Sequence, residues 1–310
     1  MKSLCRRPVS SCASPRLILA AVCAFILFLA CESAWAADGD STVSMPSASD
    51  VAKETSAAPP EPPIQDNSFL VEEAYNQEFG VVQHINTFTR SWNTHQWIYT
   101  FTQEWPVPRQ AHQLSYTLSD VNPGDAHVSP GIGDVAINYR YQLVGSGDTR
   151  IAVSPRLTLL LPSGSSRLGR GFGGVGLQSN IPLSWVVNKH LVTHWNLGAT
   201  LVPSAKNQFG DRATTTGYNL GQSFVWLVRP RFNALLETTW VGSESVVSPG
   251  RVARSRDLLM SPGIRWAYNF ASGLQIVPGI GVPVGLGPSA GEKGVFLYLS
   301  FEHPFRRLQR

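Results

Sequence analysis

The stretch from Gly131 to Leu143 reads GIGDVAINYRYQL, and its side chains alternate between two chemical types. Odd positions carry the apolar and aromatic residues Val135, Ile137, Tyr139 and Tyr141. Even positions carry the polar residues Asp134, Asn138, Arg140 and Gln142. A period of two predicts a β-strand with one apolar and one polar face. In a soluble sheet the apolar face packs on a core, whereas in a membrane barrel it faces lipid and the polar face lines the interior. The rest of the chain must decide between these two readings.

Residues 1–36 have the features of an export signal. A basic start precedes the apolar run Leu17–Ala30, and Ala34-Trp35-Ala36 provides a small-residue cleavage site. The run is too short for a membrane-spanning helix, which needs roughly 20 residues. A lipoprotein alternative places the processing site at Cys31. Cleavage after residue 36 predicts an exported, bacterial-type protein.

The composition of the mature chain excludes several kinds of chemistry. All 4 cysteines lie in residues 1–36, so the mature chain has no disulfide, thiolate metal site or cysteine nucleophile. The signal also contains four of the 25 basic residues and one of the 21 acidic ones, which leaves 21 basic and 20 acidic residues. This balance does not indicate nucleic-acid binding. No cofactor is predicted.

The mature chain divides by composition into four parts. Residues 37–66 are rich in Ala, Ser and Pro, which predicts a disordered periplasmic leader. Residues 67–78 contain a short apolar and acidic stretch that could form a helix capped by Asn67 or Ser68, or an extended entry to the first strand. Residues 79–305 hold the alternating segments, and 306–310 form a basic tail.

Twelve alternating segments follow one another in the third part. They cover about 79–90, 95–105, 110–119, 131–143, 149–161, 171–187, 190–202, 214–228, 230–241, 257–269, 273–284 and 294–305. Longer and shorter connections alternate between them, as in outer-membrane barrels, which have an even number of strands. An open sheet edge is not tolerated in lipid, so the last strand should pair with the first. We therefore predict a single all-β, antiparallel, transmembrane β-barrel of about 12 strands in the outer membrane. Its expected partners are outer-membrane lipid and lipopolysaccharide, the barrel assembly machinery and a small-molecule solute.

Three stretches also resemble a known family. EEAYNQEFGVVQHINTF (72–88), GIGDVAINYRYQL (131–143) and SPRLTLLLPSGSSRLGRGFGGVGLQSNIPLS (154–184) are similar to the outer-membrane β-barrel transporter family named for the "MetA-pathway of phenol degradation". The resemblance covers about residues 67–305, and it implies uptake of aromatic compounds without assigning site residues. GVFLYLSFEHPF (294–305) resembles the barrel assembly signal, from which the extra residues 306–310 depart.

In this interpretation the inward face supplies the candidate functional residues. The predicted lumen-lining residues are Asp134, Asn138, Arg140, Arg150, Arg156, Asn180, His194, Asn196, Arg231, Glu237, Arg265 and Asn269. Residues 67–78 could plug the lumen, and the candidates there are Phe69, Glu72, Glu73 and Tyr75. Arginines outnumber acids among the inward positions. This excess favours either a weakly anion-selective lumen or one filled by Arg–Glu pairs.

We predict a channel or transporter for small solutes, among them aromatic or other hydrophobic compounds, and not an enzyme. Two alternatives stay open: an outer-membrane lipid or ester hydrolase, and a closed structural barrel without transport. No Ser and His show a spacing that makes a catalytic dyad, and the strand spacing of His190 and His194 argues against a shared metal. The segment 242–256 is predicted to be a loop whose arginines contact lipopolysaccharide phosphates or solvent.

Overall fold

The computed structural model describes Ile64 and residues 68–305 of the 310-residue chain. The predicted signal (1–36), almost all of the predicted leader (37–66) and the predicted tail (306–310) lie outside the described residues. Between 68 and 305 the chain is nearly all β. Its two 3₁₀ helices are Ser166–Leu168 and Gly287–Ser289. None of the helices in the described part is long and apolar enough to cross a membrane.

Sixteen strand segments make up the sheet. They are β1 (Val81–Ser91), β2 (Trp97–Pro106), β3 (His112–Asn122), β4 (Gly131–Ile132), β5 (Val135–Tyr141), β6 (Ile151–Val153), β7 (Arg156–Leu161), β8 (Gly176–Asn188), β9 (Leu191–Lys206), β10 (Arg212–Arg229), β11 (Phe232–Ser248), β12 (Arg251–Trp266), β13 (Tyr268–Asn269), β14 (Gln275–Gly281), β15 (Val284–Gly285) and β16 (Gly294–Pro304). Four consecutive pairs (β4–β5, β6–β7, β12–β13 and β14–β15) each form one broken barrel strand, so the wall contains twelve.

The twelve barrel strands close into a ring. Neighbours in sequence pair antiparallel around the sheet, and β1 pairs with β16 from Val81↔Pro304 to Ser91↔Gly294. Closure removes the exposed sheet edges that hydrocarbon does not tolerate. The predicted fold, a closed antiparallel barrel of twelve strands, is confirmed.

The two faces of the opening stretch are distributed as in a membrane barrel. On β5 the side chain of Ile137 is 42% exposed and that of Tyr139 41%, whereas Asn138 is 2% and Arg140 4% exposed. Asn138 is held inside by Ser115 and Thr158 of the neighbouring strands. The polar face therefore points into the barrel and the apolar face points outward to the lipid.

Two loops are shorter than the sequence predicts. The predicted loop 203–213 is reduced to 207–211, because β9 continues to Lys206 and β10 begins at Arg212. The predicted loop 242–256 is reduced to 249–250, because β11 and β12 form one hairpin that turns between Ser248 and Arg251. The ladder continues there with polar pairs such as Glu244↔Arg254. Above the lipid an outward side chain no longer needs to be apolar, so the alternation disappears although the strands continue.

Candidate functional site

The residues from Ser68 to Glu78, here called the lumen segment, lie inside the barrel. No helix forms between them, so the helical alternative for 67–78 is wrong over its described part. The backbone N–H groups of Phe69 and Leu70 each donate to the carboxylate of Glu237 on β11, over 3.0 and 2.8 Å. Glu237 is fully buried, and it therefore replaces the strand partner that this extended backbone lacks.

Four other barrel strands bind the same backbone through side chains. The N–H groups donate to side-chain oxygens in the pairs Glu72–Asn196 (2.8 Å), Ala74–Ser184 (2.8 Å), Asn76–Gln142 (2.9 Å) and Gln77–Gln113 (2.7 Å). Asn196 and Gln142 return a bond from their amide nitrogens to the carbonyls of Glu72 and Ala74. The lumen segment thus crosses the interior from β11 to β3, and these contacts of its backbone are made by side chains instead of a sheet ladder.

A cluster of charges fixes the middle of the lumen segment. Glu72 forms ion pairs with Arg140 and Arg156, each at 3.2 Å, and accepts a 2.7 Å hydrogen bond from Asn180. Arg140 also approaches Glu104 of β2 at 4.0 Å. Burial alone would raise the pKa of Glu72, but the guanidinium groups of Arg156 and Arg140 outweigh it and hold that pKa below its usual range. Glu72 is therefore ionised at neutral pH.

Apolar contacts hold the start of the lumen segment. The ring of Phe69 packs on Phe296 and Tyr298 of β16, with centroid distances of 5.2 and 5.4 Å. Glycines on the neighbouring strands make room for it, because a Cβ at Gly279 would lie 2.4 Å from Phe69 Cζ and one at Gly263 2.8 Å from its Cε2. Phe69 therefore occupies a recess in the wall in which only glycine leaves space.

Ile64 marks where the chain enters the barrel. Its N–H donates to the carbonyl of Pro230, which follows β10 in the short turn to β11, over 3.3 Å. Its carbonyl accepts from Asn233 (2.6 Å) and from Arg265 (3.2 Å). This side of the barrel carries short turns, as expected of the periplasmic end.

Above Glu72 the lumen opens into a cavity of about 470 Å³, here called the chamber. Leu70 and Glu72 contribute to its lining from the lumen segment, and strands β7 to β11 form the walls. The polar lining residues on these strands include Arg156, Gln178, Asn180, Asn196, Thr200, Thr215, Asn219, Thr239 and Ser243, and Val202, Val241 and Phe172 add apolar surface. Gly217 and Gly221 also line it and carry no side chain to fill it. Its volume lies in the usual range for small-molecule sites.

The structure divides the predicted lumen residues into three groups: residues on the inward face, Asp134 near a loop, and three exposed residues at strand ends. The inward residues that are buried are Asn138, Arg140, Asn180, His194, Asn196, Glu237 and Arg265, and the inward residue Arg156 is partly buried. Asp134 lies between β4 and β5, and its carboxylate accepts from the N–H groups of Gly164 and Phe172 at 2.9 and 2.7 Å. It thereby fastens the loop between β7 and β8.

Three predicted lumen residues need correction. Arg150, Arg231 and Asn269 are exposed, and they lie at or beyond strand ends. Polar side chains at these ends are exposed to solvent, so alternation there does not indicate a buried position in the lumen. Of the plug candidates, Phe69, Glu72 and Tyr75 contact inward side chains of the wall, and Glu73 accepts a 3.3 Å bond from the N–H of Ser68.

One pair escaped the sequence reasoning. Ser184 Oγ and His194 Nδ1 are 2.7 Å apart, because the β8–β9 register places residues 184 and 194 opposite each other. Both side chains are fully buried, Ser184 Oγ also accepts from the N–H of Ala74, and the ring of Tyr75 lies against His194. The lumen segment therefore covers this pair. Within residues 68–305 and Ile64, no group of three or more His, Cys, Asp or Glu is placed to bind a metal ion.

No protein-family model matches the chain, and no curated protein matches it significantly. Solved structures do. An outer-membrane channel from Pseudomonas putida F1 aligns with a TM-score of 0.52 and 13% identity over 74% of this chain and 97% of that chain. The NanC porin (TM-score 0.47, 12% identity, 70% and 98% of the two chains) and the KdgM porin (0.45, 8%, 72% and 99%) are also similar. With its closed wall and apolar outer surface, the chain is an outer-membrane β-barrel.

Proposed function

We propose that this protein is an outer-membrane channel for small solutes, and that the lumen segment is its plug. One observation carries the proposal: the lumen segment is fastened by side chains of the wall and adds no strand to the sheet. The lumen segment can therefore leave the lumen without breaking the backbone hydrogen bonds between the strands of the barrel. A permanently closed structural barrel would not need a removable filling, because inward side chains of the strands themselves can fill a small barrel.

The charges of the lumen bear on which solutes pass. Glu72 balances the neighbouring Arg140 and Arg156, and Glu104 adds a further carboxylate beside Arg140. This arrangement supports the filled, pair-neutralised interior over an anion-selective ring. The solutes of the open channel would then be small and without strong charge preference. Aromatic compounds stay within the proposal, on the strength of the family resemblance and the apolar part of the chamber lining.

A hydrolase is the second candidate, and the Ser184–His194 pair is the observation that favours it. A serine nucleophile needs access to substrate and an oxyanion site. Here Ser184 Oγ already accepts from Ala74, and both side chains are fully buried. The pair acts instead as an anchor for the lumen segment.

Single-channel recording in planar bilayers tests the channel proposal. The mature protein should show a low, intermittent conductance, and a variant that lacks residues 68–78 should show a larger, steady one. Equal conductance of the two proteins would contradict the plug, and absence of conductance in both would contradict the channel. Hydrolysis of phospholipid and of short-chain esters by the deletion variant and its Ser184→Ala form would separate the hydrolase alternative.

A further inference from the structure

The barrel wall is interrupted between β10 and β11. Their ladder ends at Gly217↔Ser243, although β10 begins at Arg212 and β11 continues to Ser248. Over these residues β10 pairs with β9, and β11 pairs with β12. The two hairpins meet again above, where the N–H of Gly250 donates to the carbonyl of Arg212 over 2.8 Å. We call the gap between residues 212–216 and 244–248 the side window.

The side window lies above the apolar band of the wall. Below it β10 presents Tyr218, Leu220 and Trp226 outward, with exposures of 55, 50 and 43%. Unpaired peptide groups are not tolerated in hydrocarbon, so a gap in the ladder must lie above this apolar band. Each edge of the side window is five residues long, which corresponds to roughly 16 Å along the strand.

One side chain closes the side window. Glu244 Oε2 accepts from both the N–H and the hydroxyl of Thr216, over 2.9 and 2.8 Å. Its Oε1 accepts from Arg254 Nε over 2.9 Å. Glu244 therefore spans the gap from β11 to β10 at the place where the ladder stops.

The chamber reaches the lower edge of the side window. Its lining includes Gly217, Gly242, Ser243 and Glu244 from the two edges. Gly217 itself contributes no side chain to this edge, and a Cβ there would lie 3.5 Å from the carbonyl oxygen of Gly242 and 3.7 Å from Thr200 Cβ. Thr216 and Glu244, which are joined across the gap, also line the chamber at this edge.

We propose that the side window is a second mouth of the chamber, through which small uncharged amphipathic solutes enter from the membrane interface when Glu244 releases Thr216. Such solutes collect where the outer leaflet meets water, beside this opening. The charges near the path are already neutralised, Glu244 by Arg254 and Glu72 by Arg140 and Arg156, so an ion would gain little there. This inference rests on the channel proposed above.

A removable cross-link tests it. The mature chain contains no cysteine, so Thr216→Cys with Glu244→Cys places a single bridge across the side window. The matched control is Thr102→Cys with Thr117→Cys, a facing pair on β2 and β3 whose hydroxyls are 2.8 Å apart and which lies outside the lining of the chamber and outside the window. Proteoliposome influx would be measured with tracer hexyl glucoside, which is uncharged and interfacial, and with glucose, which stays in water.

We expect the cross-linked window pair to take up hexyl glucoside at least about fivefold more slowly than its reduced form, with glucose influx unchanged and the control pair unaffected. Glu244→Ala, which needs no cross-link, should raise hexyl glucoside influx, and Glu292→Ala at another loop should not. Unchanged hexyl glucoside influx in the cross-linked pair and in Glu244→Ala would overturn the side window alone. If the variant lacking residues 68–78 admits neither solute, the proposed channel fails as well.

Discussion

Replacing Glu72 by glutamine measures how strongly the charge cluster holds the lumen segment in place. The substitution preserves shape but removes the charge that faces Arg140 and Arg156 at 3.2 Å each. Loss of one partner from a buried ion pair costs about 3–5 kcal/mol, because the other charge remains buried. Here Glu72 is 21% and Arg156 24% exposed, and Glu104 still faces Arg140, so we take about 2–3 kcal/mol. At about 1.4 kcal/mol per factor of ten, the undocked population should rise roughly 30- to 150-fold.

Two assays report this population. Single-channel recording gives the open fraction, and hydrogen exchange gives the protection of the amides of Leu70, Ala74 and Gln77. Glu78→Gln is the matched control, because Glu78 lies in the same segment but is exposed. Glu72→Gln should raise the open fraction and reduce protection, and Glu78→Gln should change neither. If Glu72→Gln keeps the open fraction and protection of the unsubstituted protein, the charge cluster does not hold the segment.

Four further predictions test the lumen segment, the outward face of the wall and a loop. Phe69→Ala should weaken docking by about 2–3 kcal/mol, since it empties a recess in the wall, and the open fraction in recordings should rise while the barrel's melting temperature changes little. The pKa of Glu72 is lowered in the docked state, so ionised Glu72 stabilises docking fully above the usual carboxyl pKa range, and this stabilisation is lost as the pH falls through the lowered pKa. Single-channel recordings from pH 7 to 3 should therefore show opening on acidification, and the effect of pH should be smaller in Glu72→Gln. Ile137→Arg should destabilise the barrel in bilayers by about 2–4 kcal/mol, measured by urea titration, whereas no loss would contradict the outward orientation of this face. Asp134→Asn leaves one acceptor oxygen for two backbone N–H groups and should speed proteolysis in the loop between β7 and β8, with Asp148→Asn in another loop as control.

The sequence predicts the barrel well wherever lipid constrains the outward face. Segments such as 131–143 and 214–228 alternate because each outward residue meets hydrocarbon, and the structure has strands there. The alternation gives no signal above the lipid, which is why the sequence predicts a loop over 242–256, where β11 and β12 in fact continue to the tip of their hairpin. At the strand ends, Arg150 and Arg231 continue the alternating pattern although both are exposed.

The candidate site is less accessible to sequence reasoning, because it depends on register and on a chain that follows no period. Ser184 and His194 are ten residues apart in sequence and become neighbours only through the pairing of β8 with β9. The inward glutamines Gln113 and Gln142 are ordinary polar residues until the lumen segment brings N–H groups to them. Glu72 was singled out from its segment alone, but its partners on β5, β7 and β8 come from strands far along the chain.

The way in which the lumen segment is fastened has a consequence for biogenesis. Its anchoring groups are spread over the wall from Gln113 on β3 to the rings of Phe296 and Tyr298 on β16, and they face one another only after β1 has joined β16. The lumen segment precedes all the barrel strands in the chain and is therefore synthesised before them, but its complete set of partners is in place only after the barrel has closed. During insertion the nascent pore would be unobstructed, and sealing would be the final event of maturation.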